Sequence, residues 1–198
     1  MPELLDILSA DGERVLGVKD REAVHRDGDW HQAFHLWVVR DDGVLFQRRA
    51  RWKESWPGYL DATAAGHLVA GESPADGVRE AEEELGVPFA LDDLVALGVW
   101  RVDDEPRPGF VNREHQHVFA VHDDRRLEAW TAFDRAEVEG LVLVAHDGLE
   151  ALLDGERTPA AAWDGEAVTP LVVGPEELVP ATYLDEVAPL LADLSPRR

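Results

Sequence analysis

Apolar positions recur at two periods along this chain, and the change from one period to the other lays out its elements. Residues 4–8 and 14–18 read as short strands around the Asp11-Gly12 turn. A polar stretch runs from 19 to 29. Residues 33–39 and 44–47 follow as strands joined by Asp41-Asp42-Gly43, a second hairpin signal. Residues 59–63 and 68–70 read as extended and flank Gly66. Further strands are expected at 94–102, 117–121 and 141–144. Helical spacing occupies 74–85, the neighbourhood of 148–153, and 181–194, where Leu184, Val187, Leu190, Leu191 and Leu194 recur at helical spacing. Residues 158–166 read as a loop, because Ala160-Ala161-Ala162 shows no clear period. Strands mixed with a few helices through hairpin connections indicate an α+β class or an α/β/α layered domain. No repeat or long linker divides the 198 residues, so one domain is expected. Its parts are an N-terminal hairpin and connector (1–29), a core (30–155) and a C-terminal extension (156–198).

The most informative of these elements is the helix at 74–85. Ser73 is a suitable N-cap, Pro74 suits the first helical position, Asp76 favours the positive end, and Gly86 is placed to stop the helix. Val78, Ala81 and Leu85 form a narrow apolar stripe that packs on a sheet. Glu80, Glu83 and Glu84 share the roughly opposite face, with Arg79 alone to offset them. Like charges four apart cost about 0.2–0.5 kcal/mol per pair. Such a cluster is either a solvated face or a set of hard oxygen ligands for Mg²⁺ or Mn²⁺.

Composition narrows the chemistry. The chain has no cysteine, which removes disulfides, thiolate metal sites and cysteine nucleophiles. A formal net charge of −22 repels a nucleic-acid backbone, so no duplex partner is expected. A small anionic substrate fits only where metal reverses the sign locally. No apolar run approaches the roughly eighteen residues of a membrane span. The first residues lack a basic stretch followed by an apolar one, so the sequence reads as cytoplasmic.

The segment around the helix carries a resemblance. Gly66, five residues, Glu72, and then Arg79-Glu80-Ala81-Glu82-Glu83-Glu84-Leu85-Gly86-Val87 resembles the Nudix box, with six residues instead of the usual seven between Glu72 and Arg79. Outside the box, Val24-His25-Arg26, Trp30 to His35, Gln47-Arg48-Arg49, Lys53, Trp56-Pro57-Gly58, Ala64 to His67 and Asn112-Arg113-Glu114 resemble the isopentenyl-diphosphate-isomerase-like branch of that superfamily. The likeness runs from about residue 6 to 144. It implies the Nudix fold, an α/β/α sandwich on a mixed β-sheet, here with an extra N-terminal hairpin and C-terminal helix. These outer elements either cover the sheet or form a homodimer contact.

The resemblance also implies an activity, the metal-dependent cleavage of a diphosphate linkage in a small molecule, with a nucleoside diphosphate derivative as the expected class. Glu80, Glu83 and Glu84, the Gly66 carbonyl and Glu114 would hold Mg²⁺ or Mn²⁺, and Arg79 would orient a glutamate. Glu114, Glu83 and Glu84 are rival candidates for the general base. Isomerases of the branch bind metal through histidines matching His25, His31 and His67, together with a glutamate matching Glu114; Asn112 stands where they carry another. Their catalysis needs a cysteine immediately before the Gly-His pair, and that position is Ala65. Arg48, Arg49 and Lys53 either meet substrate phosphate or, for the two arginines, close a solvated strand end. Trp52, Trp56 and Trp100 either stack on a base or pack. Three readings follow: a hydrolase, an isomerase and a non-catalytic ligand-sensing module. The absent cysteine weighs against the second, and the complete glutamate set against the third.

Overall fold

A strand that is apolar on both faces must be covered twice, and the middle of this chain supplies one in Ala33-Phe34-His35-Leu36-Trp37-Val38-Val39, buried throughout. The computed structural model describes residues 3–181 and 183–194. In chain order the elements are β1 (Leu4–Leu8), β2 (Val15–Asp20), α1 (Arg21–Asp27), β3 (His31–Arg40), β4 (Gly43–Arg49), β5 (Leu60–Asp61), β6 (Ala64–His67), α2 (Arg79–Leu85), β7 (Val95–Arg107), β8 (Phe110–His122), β9 (Val138–Val144), α3 (His146–Leu153), β10 (Thr158–Trp163), β11 (Val168–Val173) and α4 (Leu184–Leu194).

The main sheet runs β11-β10-β9-β4-β3-β8-β7, with β5 on β4 and β6 on β3. Only the β3–β8 pairing among these is parallel, which makes the sheet mixed. One edge of β3 changes partner along its length. Residues 38–40 pair with β4, whereas residues 33–36 pair with β6. The strands part there, and the site lies where they part.

Alternation along β3 sends Phe34, Leu36 and Val38 to one core with Ala81 and Leu85 of α2. Trp37 and Val39 go to the other, with Leu149 and Leu152 of α3 and Val187 and Leu191 of α4. Helices thus cover both faces, as the α/β/α expectation required, and α4 is one of them. The β1–β2 hairpin stands apart as a two-stranded sheet and joins the body through Leu5 beside Val69 and Leu8 beside Trp30. Val15, Leu16 and Val18 on β2 remain exposed. No helix among the described residues is long and apolar enough to cross a membrane.

Four local expectations need correction. The polar stretch 19–29 contains α1, which Asp20 caps by accepting from the Ala23 amide and Gly28 closes at φ 69°. Charge masked its buried face of Ala23, Val24 and His25. Residues 158–166 are no loop, because β10 lies between β9 and β11. Small alanines on both faces of that strand erase the contrast that alternation needs. Residues 68–70 leave β3 after Leu68 and form no strand. The acidic helix begins at Arg79, preceded by a 3-10 turn over Asp76–Val78, and Ser73 donates its hydroxyl to Asp76 (2.6 Å) instead of accepting as a cap. At the other end, Gly86 does close the helix at φ 68°. Of the expected helix 181–194, α4 covers 184–194, and Thr182 lies outside the described residues.

Candidate active site

The acidic helix reaches the cavity because a glycine faces it. A Cβ at residue 66 would run into the Glu80 carboxyl, so only glycine leaves β6 room for that group. One turn along, the Glu84 carboxylate accepts from the Ala65 amide (2.9 Å) and the Gln47 side chain (3.2 Å). Burial pushes the Glu84 carboxyl up to about 8, with Glu80 and Glu137 adding to it, and burial likewise raises Glu80. Glu83 is exposed and touches Arg79 at 3.1 Å.

Arg79 is the hub of this wall. It holds Glu72 through two hydrogen bonds (2.7 and 2.9 Å), reaches Glu80 at 2.5 Å and Glu83 at 3.1 Å, and donates to the His67 carbonyl at 3.1 Å. Hydrogen bonding to Arg79 holds the Glu72 carboxyl below its usual range. The shortened spacing of the box therefore still brings Glu72 to Arg79, with the tight 3-10 turn taking up the chain between them.

A second wall is assembled from distant segments: His25 on α1, His31 on β3, His67 on β6 and Glu114 on β8. One ligand atom from each histidine lies within 4.8 Å of the others. Glu114 Oε1 sits 3.6 Å from His31 Nε2 and 3.4 Å from His67 Nε2. Burial disfavours ionised Glu114, but His31 and His67 outweigh it and hold the carboxyl well below its usual range. Burial also opposes charge on His67, but Glu114 and Glu3 outweigh that and raise it. His25 is lowered to about 3 by burial and by the neighbouring His67 and His31.

Both walls contribute to one cavity of about 640 Å³, with Arg79, Glu80, Glu83 and Glu84 from the first and His25, His67 and Glu114 from the second. Arg49 and Lys53 line it as well, each engaged: Arg49 with Asp61 (2.8 Å) and Lys53 with Glu137. Arg48 does not, because adjacent strand residues face opposite ways; it donates to the Gly58 carbonyl and lies 3.7 Å from Glu177. Trp56 lines the cavity from a backbone at φ 51°. Trp52 is exposed and bonds the Ala136 carbonyl, and Trp100 packs beside Tyr183 and bonds Glu186. Asn112 lines the cavity beside Glu114. Sequence reasoning missed Glu3, Arg21, His35 and Asp61, which carry no regular spacing that would have marked them.

The fit to a divalent cation is testable on the residues themselves. Nδ1 of His25 faces the Val111 carbonyl (3.3 Å) and Nδ1 of His31 the Asp29 carbonyl (3.0 Å). A carbonyl only accepts, so each Nδ1 carries a proton, and Nε2 is the atom left to present a lone pair when the ring is neutral. Both Nε2 atoms are buried without a hydrogen-bond partner. On the other wall, two buried carboxyls converge beside a glycine backbone. Orphaned lone pairs and costly buried carboxyls are both relieved by a cation, so both walls fit one.

Comparisons with known proteins bear on the family. A family model described as the NUDIX domain matches residues 29–168. A Nudix hydrolase of Clostridium acetobutylicum is 38% identical over 159 residues, covering 78% of this chain and 75% of its own. Nudix hydrolase 3 of Arabidopsis thaliana is 34% identical over 82% of this chain, which spans 22% of that longer protein. An isopentenyl-diphosphate delta-isomerase of Saccharopolyspora erythraea is 30% identical over 84% of each chain. Among solved structures, a Deinococcus radiodurans protein has the same fold at a TM-score of 0.58 and 20% identity, covering 78% of this chain and 91% of that chain. With the box complete and the family model spanning most of its length, this chain belongs to the Nudix family and is a hydrolase of pyrophosphate bonds.

Proposed function

We propose that this protein hydrolyses the diphosphate linkage of a nucleoside diphosphate derivative with the help of Mg²⁺ or Mn²⁺. Nudix hydrolases generally use divalent metal ions. Glu80, Glu83, Glu84 and the Gly66 carbonyl would hold the ion, and His25, His31, His67 and Glu114 would hold a second, for which imidazole nitrogens favour Mn²⁺ over Mg²⁺. Bound there, a divalent ion supplies charge screening for the two phosphates and a more acidic water. The observation that carries the reading is the pair of buried carboxyls lining the cavity, Glu80 against the Gly66 backbone and Glu84 on the Ala65 amide.

The chain's own residues divide the remaining work. Arg79 fixes Glu72, Glu80 and Glu83 at defined positions, so the acidic wall needs little rearrangement. Arg49 and Lys53, which line the same cavity, exchange their carboxylate partners for substrate phosphate oxygens. Glu83, Glu84 and Glu114 are the rival candidates to take a proton from the attacking water. Trp56 offers an apolar wall to the organic part of the substrate.

The test is a phosphate-release screen over nucleotides, nucleotide sugars and dinucleotides, with thiamine diphosphate and prenyl diphosphates for contrast. EDTA is expected to abolish turnover and Mg²⁺ or Mn²⁺ to restore it; full activity in metal-free protein would contradict the proposal. Isopentenyl diphosphate should keep its double bond in place, because Ala65 offers no acid or base. Formation of dimethylallyl diphosphate would reverse that ranking. Binding without turnover would favour a ligand-sensing module.

A further inference from the structure

His35 lies outside the Nudix box and outside both ligand groups, yet it faces the same cavity. The β3–β6 register sets His35 opposite Ala65 and Phe34 opposite Gly66, one step from the acidic cradle. The backbone amide of that same Ala65 holds Glu84. His35 lines the cavity, and its one hydrogen bond runs from Nδ1 to the Tyr183 hydroxyl at 2.7 Å. Tyr183 is fully buried and stands immediately before α4.

The direction of that hydrogen bond follows from its surroundings. The Tyr183 hydroxyl is fully buried, and its hydrogen bond among the described residues is the one to His35 Nδ1. A buried phenol O–H needs an acceptor, and an imidazole nitrogen accepts better than a phenol oxygen, so the proton of the Tyr183 hydroxyl goes to His35 Nδ1. The imidazole proton is then on Nε2. Burial disfavours a charged ring here, which leaves a neutral donor. Among the described residues no side chain accepts from Nε2. Arg49 and Lys53 are engaged by Asp61 and Glu137, so His35 differs from both in offering an N–H that needs no partner displaced.

We infer that His35 is a substrate-contacting residue of this site, donating its Nε2–H to an oxygen of the bound diphosphate, with Tyr183 fixing it in that form. The inference rests on the metal-assisted diphosphate reading above. It makes the segment leading into α4 a working part of the site, acting on substrate through one imidazole. A neutral donor adds selectivity for phosphate oxygens without adding charge to a wall already holding Arg49 and Lys53.

The test uses methylenediphosphonate, a non-hydrolysable diphosphate, titrated with excess Mg²⁺ into the full chain and its variants. His35→Phe should weaken binding about tenfold or more, the loss expected for a hydrogen bond to a charged group. His35→Gln, whose amide nitrogen falls near the Nε2 position, should bind within about threefold of wild type. In ¹⁵N-histidine spectra of the wild type, His35 should be the Nε2–H tautomer, and that resonance should move when the probe is added. Equal binding by wild type and His35→Phe, or an unmoved resonance, would overturn the inference and leave the diphosphate reading standing. Failure of the wild type to bind the probe with Mg²⁺ would overturn both. If His35→Phe does not fold, the wild-type resonance decides alone.

Discussion

On one wall of the cavity Glu80 and Glu84 are carboxyls that burial drives toward the neutral form, while on the other Glu114, no less buried, is held ionised by His31 and His67. Burial is common to all three, so burial alone does not set their state. What differs is the supply of positive charge. The acidic wall has one cation paired with it, Arg79, already shared among Glu72, Glu80 and Glu83, while Lys53 acts on Glu84 only from a distance and is paired with Glu137. The histidine wall has His67, whose charge Glu114 and Glu3 favour, and His25, whose charge burial disfavours. A metal ion would therefore do different things on the two sides. Beside α2 it would supply charge that is missing, whereas beside His67 it would displace charge already present.

The largest effect should come from breaking the histidine wall. Replacing His67 with Leu removes one of the two groups that hold Glu114 ionised and leaves a buried carboxylate short of a partner. Loss of one member of a buried pair costs about 3–5 kcal/mol, and urea unfolding in EDTA should show a loss near the lower figure, since His31 remains. A loss below about 1 kcal/mol would mean that the two walls are electrostatically alike.

Glu84→Gln should act in the opposite direction, and its sign depends on pH. The Glu84 carboxyl lies at about 8 in the folded chain against a usual 4.5. Between those values the unfolded chain gives up the proton and the folded chain keeps it, so this group lowers stability as pH rises. Its contribution by pH 8 is on the order of 2–4 kcal/mol. The metal-free variant should match wild type near pH 5 and exceed it progressively toward pH 8. A difference that stays flat across that range would show Glu84 to be ionised without metal.

The two walls also differ in how far they were legible in the sequence. The acidic wall is local: Glu80, Glu83 and Glu84 are placed by helical spacing, and Gly86 marks the end of the helix. Even there the start was misjudged, because Ser73 and Asp76 exchange the roles that a cap would give them. The histidine wall draws on residues 25, 31, 67 and 114, whose separations follow no period, so only likeness to a known family could group them. His35 lies in a segment that resembles the family, but Tyr183 is 148 positions away and nothing in the sequence joins the two. In the fold, β3 and α4 were visible because their apolar patterns are strong. α1 was hidden by the charge of its exposed face, and β10 by alanines that suit either face. Arg48 shows the same limit at the site, since strand alternation, not residue type, keeps it from the cavity.

The smallest effect on the metal-free fold carries the most weight for the account. Glu83 is exposed on α2, pairs with Arg79 and repels Glu80. Glu83→Gln should therefore change the stability of the metal-free protein by only a few tenths of a kcal/mol. Thermal melts of wild type and Glu83→Gln, each with EDTA and with excess Mg²⁺, test the central claim that this helix is a metal site. A ligand that binds only the folded state adds about 2.7 kcal/mol at a hundredfold excess over Kd. The account predicts that wild type gains much of this, and that Glu83→Gln gains less and loses most turnover. Equal gains in the two proteins, or a loss of several kcal/mol in the metal-free variant, would contradict it.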